Sequence, residues 1–147
     1  MSEAPQLTLH QASHRSVRLM QHDNPPGGEL TYRIIGLAMK VHRLLGPGLL
    51  ESIYEKCLCH ELGEAGLPFQ RQMPLPVHYG GAVLDCGYIA DVIVDQKVIL
   101  ELKSVERVLA LHEAQLLTYL RLTECRIGLL INFNTVSLTD GITRRVL

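Results

Sequence analysis

The stretch from Asp91 to Lys103, D-V-I-V-D-Q-K-V-I-L-E-L-K, decides the fold. It has two apolar runs around a polar break, the pattern of a β-hairpin whose strands are covered on both faces. Side chains on a strand alternate faces, so Glu101 and Lys103 point one way while Leu100 and Leu102 point the other. A three-residue turn over Asp95, Gln96 and Lys97 sets Val94 against Val98 and Asp91 against Glu101. The expected outcome is a pair of carboxylates and an ammonium on one patch of an apolar sheet. Bare carboxylates are costly there unless a cation or strong hydrogen bonds offset the charge. A hard divalent metal beside the lysine suits the patch.

Working outward, residues 98–104 are followed by helical spacing over 108–122 and a buried strand over 126–133, G-L-L-I-N-F. Asp140-Gly141 marks a turn into a last strand at 142–147. On the other side, Gly80-Gly81 marks a hairpin. The run 83–94 reads as one strand, and 72–79 reads as an edge strand because of Pro74 and Pro76. Before these, Ile34, Ala38, Val41 and Leu45 recur at helical spacing up to Gly46-Pro47-Gly48. A second helix reads from Leu49 to Ala65, with Gly66 as its stop. The order is α-α-β-β-β-α-β-(β), an α/β fold. Residues 1–28, with His10, His14, His22 and the breaker run ending at Gly28, read as a flexible N-terminal leader. Residues 29–147 read as a single domain.

Composition narrows the function classes. The chain has 147 residues, 47% of them apolar and 20% charged, and a formal net charge of -1. That balance argues against indiscriminate binding to duplex phosphates, which depends on Lys and Arg. No uninterrupted apolar run is long enough to span a bilayer, and no signal-peptide core opens the chain, so a cytoplasmic location is expected. Cys57, Cys59, Cys86 and Cys125 lack metal-like spacing and read as buried free thiols.

Three local patterns carry chemistry. In Asp91…Glu101-x-Lys103, oxygen ligands suit Mg²⁺ or Mn²⁺, and the lysine is placed to orient or deprotonate a water, or to steady phosphate charge. The competing reading is a salt bridge at a strand end. In Gly48-x-x-Glu51-x-x-Tyr54, glycine fits the turn into a helix and the helix dipole favours an acid in the first turn. The plainer reading makes Glu51 a dipole acid and Tyr54 a core aromatic. In Gln115-x-x-x-Tyr119, four-residue spacing puts an amide and a phenol on one helical face. Alone, these are a boundary glutamine and a half-buried tyrosine.

Taken together, the segments A-x-x-V-H-R-x-L-G-P-G-L-L-E-S-x-Y, A-D-x-x-V-x-x-x-V-I-L-E-L-K, H-E-A-Q-L-L-T-Y-L and G-L-L-I-N-F-N resemble the GxxExxY proteins of the PD-(D/E)XK nuclease superfamily, over residues 29–147. The resemblance implies a restriction-endonuclease-like core, a mixed central sheet flanked by helices. It implies Asp91, Glu101, Glu51 and the backbone carbonyl of Leu102 as metal ligands. Lys103 becomes the catalytic lysine, with Gln115 and Tyr119 as the Q-x-x-x-Y element beside it. Ala90 stands where the superfamily name has proline, a position that is not a ligand.

The expected function is a Mg²⁺- or Mn²⁺-dependent nuclease that hydrolyses phosphodiester bonds by a metal-activated water, on DNA in preference to RNA. The alternatives are a non-catalytic nucleic-acid- or protein-binding module on the same fold, and a structural subunit whose acids form an ion-pair network. A homodimer is expected from the small size of the domain, and an additional protein partner is allowed for. His42 and His112 are expected to be structural or to face phosphate. Arg43, Arg71 and Arg107 are candidate phosphate contacts.

Overall fold

An apolar strand pair with buried side chains on both faces needs helices on both sides, and that is the architecture of the computed structural model, which describes residues 28–147. The leader read at 1–28 lies outside the described residues, apart from Gly28, which opens the first helix. Helices α1 (Gly28–Leu45) and α2 (Glu51–Glu64) come first, followed by strands β1 (Phe69–Pro74), β2 (Val77–Tyr79), β3 (Ala82–Leu84), β4 (Ile89–Val94) and β5 (Val98–Lys103). Then come α3 (Ala110–Leu122), β6 (Ile127–Asn132), a 3₁₀ turn (Leu138–Gly141) and β7 (Ile142–Val146). The main sheet runs β1-β4-β5-β6-β7. Among the described residues only β5 and β6 pair in parallel, with α3 as the crossover between them. The mixed sheet flanked by helices is the expected fold class.

The two faces of the sheet belong to separate cores. Val92, Val94, Leu100, Leu102, Leu129 and Ile131 pack with Ile34, Ala38, Tyr54, Leu58 and Leu62 of α1 and α2. Ile93, Ile99 and Leu130 pack with Leu116, Tyr119 and Leu120 of α3. Helix α3 lies so close to β6 at Gly128 that a Cβ there would stand 2.7 Å from Leu116 Cδ1. The β4–β5 register is the expected one, with Val94 paired to Val98. Asp95 and Gln96 take left-handed φ angles of 50° and 53° in the turn.

Two strands read as continuous are broken. The run 72–79 divides into β1 and β2 because Pro74 and Pro76 bracket Leu75, which is buried and donates its N–H to Tyr88 O at 2.8 Å. The run 83–94 divides into β3 and β4 at a turn where Gly87 N–H donates to Asp85 Oδ1. Strands β2 and β3 form a separate hairpin, closed as expected at Gly80-Gly81. All four cysteines are free, but Cys86 is exposed and Cys57 half-buried, because they fall in the 85–88 turn and on the flank of α2 rather than in the core.

The α1–α2 turn is locked by one phenol. Helix α1 ends at Gly46 (φ 69°), and Gly48 takes φ 94°, a conformation that favours glycine. Tyr54 OH donates to Gly46 O at 2.6 Å and accepts from Leu49 N–H at 3.1 Å. Its ring is fully buried and stacks on Phe133 with centroids 4.4 Å apart. Tyr54→Phe keeps the stack and strands both backbone partners. It should cost about 1–3 kcal/mol of stability, measured by chemical denaturation; an unchanged midpoint would show that the turn is held by other contacts.

Candidate active site

Antiparallel pairing between β4 and β5 runs from the turn as far as Val92 and Leu100. Beyond that pair, carboxylates take up backbone N–H groups. Asp91 N–H donates to Glu101 Oε1 at 3.1 Å, and Leu102 N–H donates to Asp91 Oδ2 at 2.8 Å. The expected juxtaposition of Asp91 and Glu101 is therefore present, and the two side chains are crossed onto each other's strands. Glu101 is only 4% exposed and Asp91 is half-buried.

Burial dominates the electrostatics of this pair. Burial first and the neighbouring Asp91 charge second raise the Glu101 carboxyl to about 8, with the Asp91 N–H and Lys103 pulling against both. Asp91 is also raised, first by burial, against the opposing Leu102 N–H; Glu55 adds to the rise, Lys103 lowers it and Glu51 adds a little more. Lys103 is half-buried at the end of β5, and among the described residues it makes no ion pair within 4 Å.

Glu51 arrives from the other layer. It is the first residue of α2, favoured there by the helix dipole, and its Oε1 accepts Ser104 N–H at 3.3 Å. Ser104 Oγ in turn donates to Leu49 O at 2.5 Å. The locked turn thus sets Glu51 against the residue after Lys103, close enough for its charge to act on Asp91. Among the described residues, however, no three His, Cys, Asp or Glu side chains stand close enough together to hold a metal. The structure brings Asp91 and Glu101 into direct contact and leaves Glu51 at the rim.

Two supporting residues escaped the sequence reading. Glu55 is 8% exposed, accepts Gln72 Nε2 at 2.7 Å and pairs with Arg71 at 3.5 Å. Arg71, considered above as a phosphate contact, is engaged with Glu55. Gln72 has φ 49° at the position between the pairs Arg71–Val92 and Met73–Ala90, opposite Asp91. The four-residue step from Glu51 to Glu55 was the available signal. Asn132 is buried beside Lys103 in the parallel ladder. Its Nδ2 donates to Val105 O at 2.9 Å and its Oδ1 accepts Val105 N–H at 3.1 Å, which fixes the chain leaving β5.

On α3, Gln115 Nε2 donates to Tyr119 OH at 2.7 Å, so the four-residue spacing does bring amide and phenol together. Tyr119 is buried, and its phenol is raised first by burial and then by the Glu101 charge, which places it toward the carboxylates. The histidines are structural. His42 Nε2 donates to Thr135 O at 2.7 Å, and His112 Nδ1 accepts Leu109 N–H at 3.0 Å at the start of α3.

The donor set fits a hard divalent cation. A buried and a half-buried carboxylate with a single nearby ammonium leave negative charge to neutralise, and every donor is oxygen, as Mg²⁺ and Mn²⁺ prefer. A family model described as PD-(D/E)XK nuclease superfamily matches residues 28–146. No curated protein and no solved structure matches the chain.

The raised Glu101 has a consequence in metal-free buffer. Unfolded, this carboxyl titrates near 4.5; folded, it holds its proton up to about 8. Its contribution to stability is full below 4.5 and is lost as pH rises through 8. The thermal midpoint should therefore fall across that window. Glu101→Gln keeps the acceptor for Asp91 N–H and removes the charge, so it should flatten the fall and raise the midpoint at pH 8. An equal fall in the variant would assign the slope to other groups.

Proposed function

The chain belongs to the PD-(D/E)XK nuclease superfamily, and from that premise we propose that it is a Mg²⁺- or Mn²⁺-dependent nuclease hydrolysing nucleic-acid phosphodiester bonds. The observation that carries this reading is the crossed Asp91–Glu101 pair at the end of β5, buried and charge-strained beside Lys103. Strongly perturbed carboxyls of this kind cluster at functional sites. We assign the chain to the GxxExxY group on Gly48, Glu51 and Tyr54, whose parts are a left-handed turn, a rim carboxylate and the phenol that locks them.

In this reading Asp91, Glu101, the Leu102 carbonyl and Glu51 would hold the ion. When bound, the ion supplies Lewis acidity to phosphate oxygens and makes a water acidic enough to attack at neutral pH. The Lys103 ammonium orients the attacking water through its N–H donors and offsets charge that builds on the phosphoryl oxygens. Tyr119, aligned by Gln115, presents a phenol on the α3 side of the same space. Asn132 keeps the β5 exit fixed so that Lys103 and Glu101 hold their spacing. DNA as the preferred substrate, a cytosolic location and a homodimer are parts of the same proposal. Among the described residues, no helix is long and apolar enough to cross a membrane.

The test is cleavage of labelled single-stranded, duplex and flapped DNA and RNA with Mg²⁺, Mn²⁺ or EDTA. Asp91→Asn, Glu101→Gln and Lys103→Met should each lower cutting by about 10²- to 10³-fold, in proteins whose thermal midpoints show them folded. Cutting that survives EDTA or Asp91→Asn would belong to another site. Folded protein that binds Mn²⁺ but cuts none of these substrates would favour the non-catalytic binding module.

A further inference from the structure

Beside the carboxylates lies a second feature that the hydrolytic mechanism does not use. An open cavity of about 320 Å³ is lined by Tyr88, Leu111, Ala114, Gln115 and Thr118, a volume within the range of small-molecule sites, about 300–1,000 Å³. Gln115 links it to the site, because it lines the cavity while its Nε2 donates to Tyr119 OH. Tyr88 meets the buried Tyr119 ring edge-on, with centroids 5.8 Å apart and planes at 64°. It keeps 37% of its own surface exposed. Its backbone is anchored by Leu75 N–H at 2.8 Å, and it stands three residues before Asp91.

We propose that this cavity is a nucleobase pocket, in which an unpaired base of the substrate stacks on Tyr88 while its neighbouring phosphate faces Asp91, Glu101 and Lys103. The proposal rests on the nuclease reading and specifies the substrate as a single strand or a frayed end. The lining decides the chemical class. It carries no formal charge, so it suits a flat neutral group and not a phosphate, which would call for cations. Tyr88 supplies a ring, Leu111 and Ala114 supply apolar contact, and the Gln115 carbonyl and Thr118 hydroxyl remain as acceptors for the edge of a base. A base inside a duplex has both faces stacked and its pairing edge occupied, so only an unpaired one can enter.

The probe is a single-stranded DNA hexamer carrying one 2-aminopurine, whose fluorescence falls when the base stacks, titrated with the full chain in Ca²⁺. Wild type should quench it. Tyr88→Ala should bind about tenfold more weakly, as expected for loss of one base–aromatic stack, and lose the quench; Tyr88→Phe should stay close to wild type. Ala114→Leu, a helix-compatible change on the exposed side of α3, should block the cavity and weaken binding without touching Tyr88. Equal binding and quench in wild type, Tyr88→Ala and Ala114→Leu would overturn the pocket, as would absence of quench in wild type. A wild type that stacks the hexamer yet cuts nothing upholds the pocket and removes hydrolysis. One that cuts with Mn²⁺ while both variants quench normally upholds the nuclease and removes the pocket.

Discussion

The structure depends on a constraint at the end of the β4–β5 hairpin, where backbone pairing gives way to two carboxylates. A strand pair that stops inside a protein leaves N–H groups without partners, and each costs free energy when buried. Here Asp91 and Glu101 accept two of those groups across the gap. The interaction settles two problems at once, because the carboxylates also need donors to remain in an apolar sheet. It works only if the register is fixed, which explains why the turn at Asp95-Gln96 accepts two left-handed residues that are not glycine. A shift of one residue would turn both acids to the opposite face, into Tyr54 and Leu58.

Everything else at the site is arranged around the same strand end. Phe133 follows β6 and stacks on Tyr54; Tyr54 pins the turn; the turn presents Leu49 O and Glu51 to Ser104. From the opposite edge, the buried Glu55 is held by the exposed Gln72 and Arg71 where β1 passes Asp91. Gln72 adopts φ 49° there, a conformation that costs a glutamine free energy and persists only where its surroundings hold it. Glu55 lies close enough to Asp91 to add to the rise of its carboxyl. The local geometry increases negative potential where neutralising it would give a more stable apoprotein, as expected where a cation is to be held.

How much of this was legible in the sequence follows from which signals are local. The β4–β5 register, the Gly80-Gly81 hairpin, both N-terminal helices and the Gln115–Tyr119 pair rest on spacing within a few residues, and the structure has each of them. The breaks at Pro74-Leu75-Pro76 and at residues 85–88 were missed because alternation of apolar residues continues across them while the backbone partners change. Glu55 and Asn132 were missed for a different reason. Their partners, Gln72 with Arg71 and the Val105 backbone, are distant in sequence, and no period predicts a contact between α2 and β1 or between β6 and the β5 exit. The ligand roles proposed for Glu51 and Leu102 rest on resemblance; spacing alone left Glu51 as an ordinary first-turn acid.

The position of the site follows from the one parallel pair in the sheet. Strands β5 and β6 both end where α3 must begin its crossover and where the 3₁₀ turn follows, so several chain segments diverge at their carboxyl ends. Diverging segments leave space, and in open α/β sheets this is where ligands sit. Asn132 holds that divergence in shape, taking Val105 with both ends of its amide. The opening is therefore a built feature of the sheet. It admits Lys103, Glu51 and Tyr119 from three different elements to the edge of one carboxylate pair, and it leaves Tyr88 and Gln115 at the border between that pair and the neighbouring cavity. With a divalent cation offsetting the carboxylates, a phosphate at the strand ends and a base beside α3 would then occupy neighbouring spaces, the first charged and the second neutral.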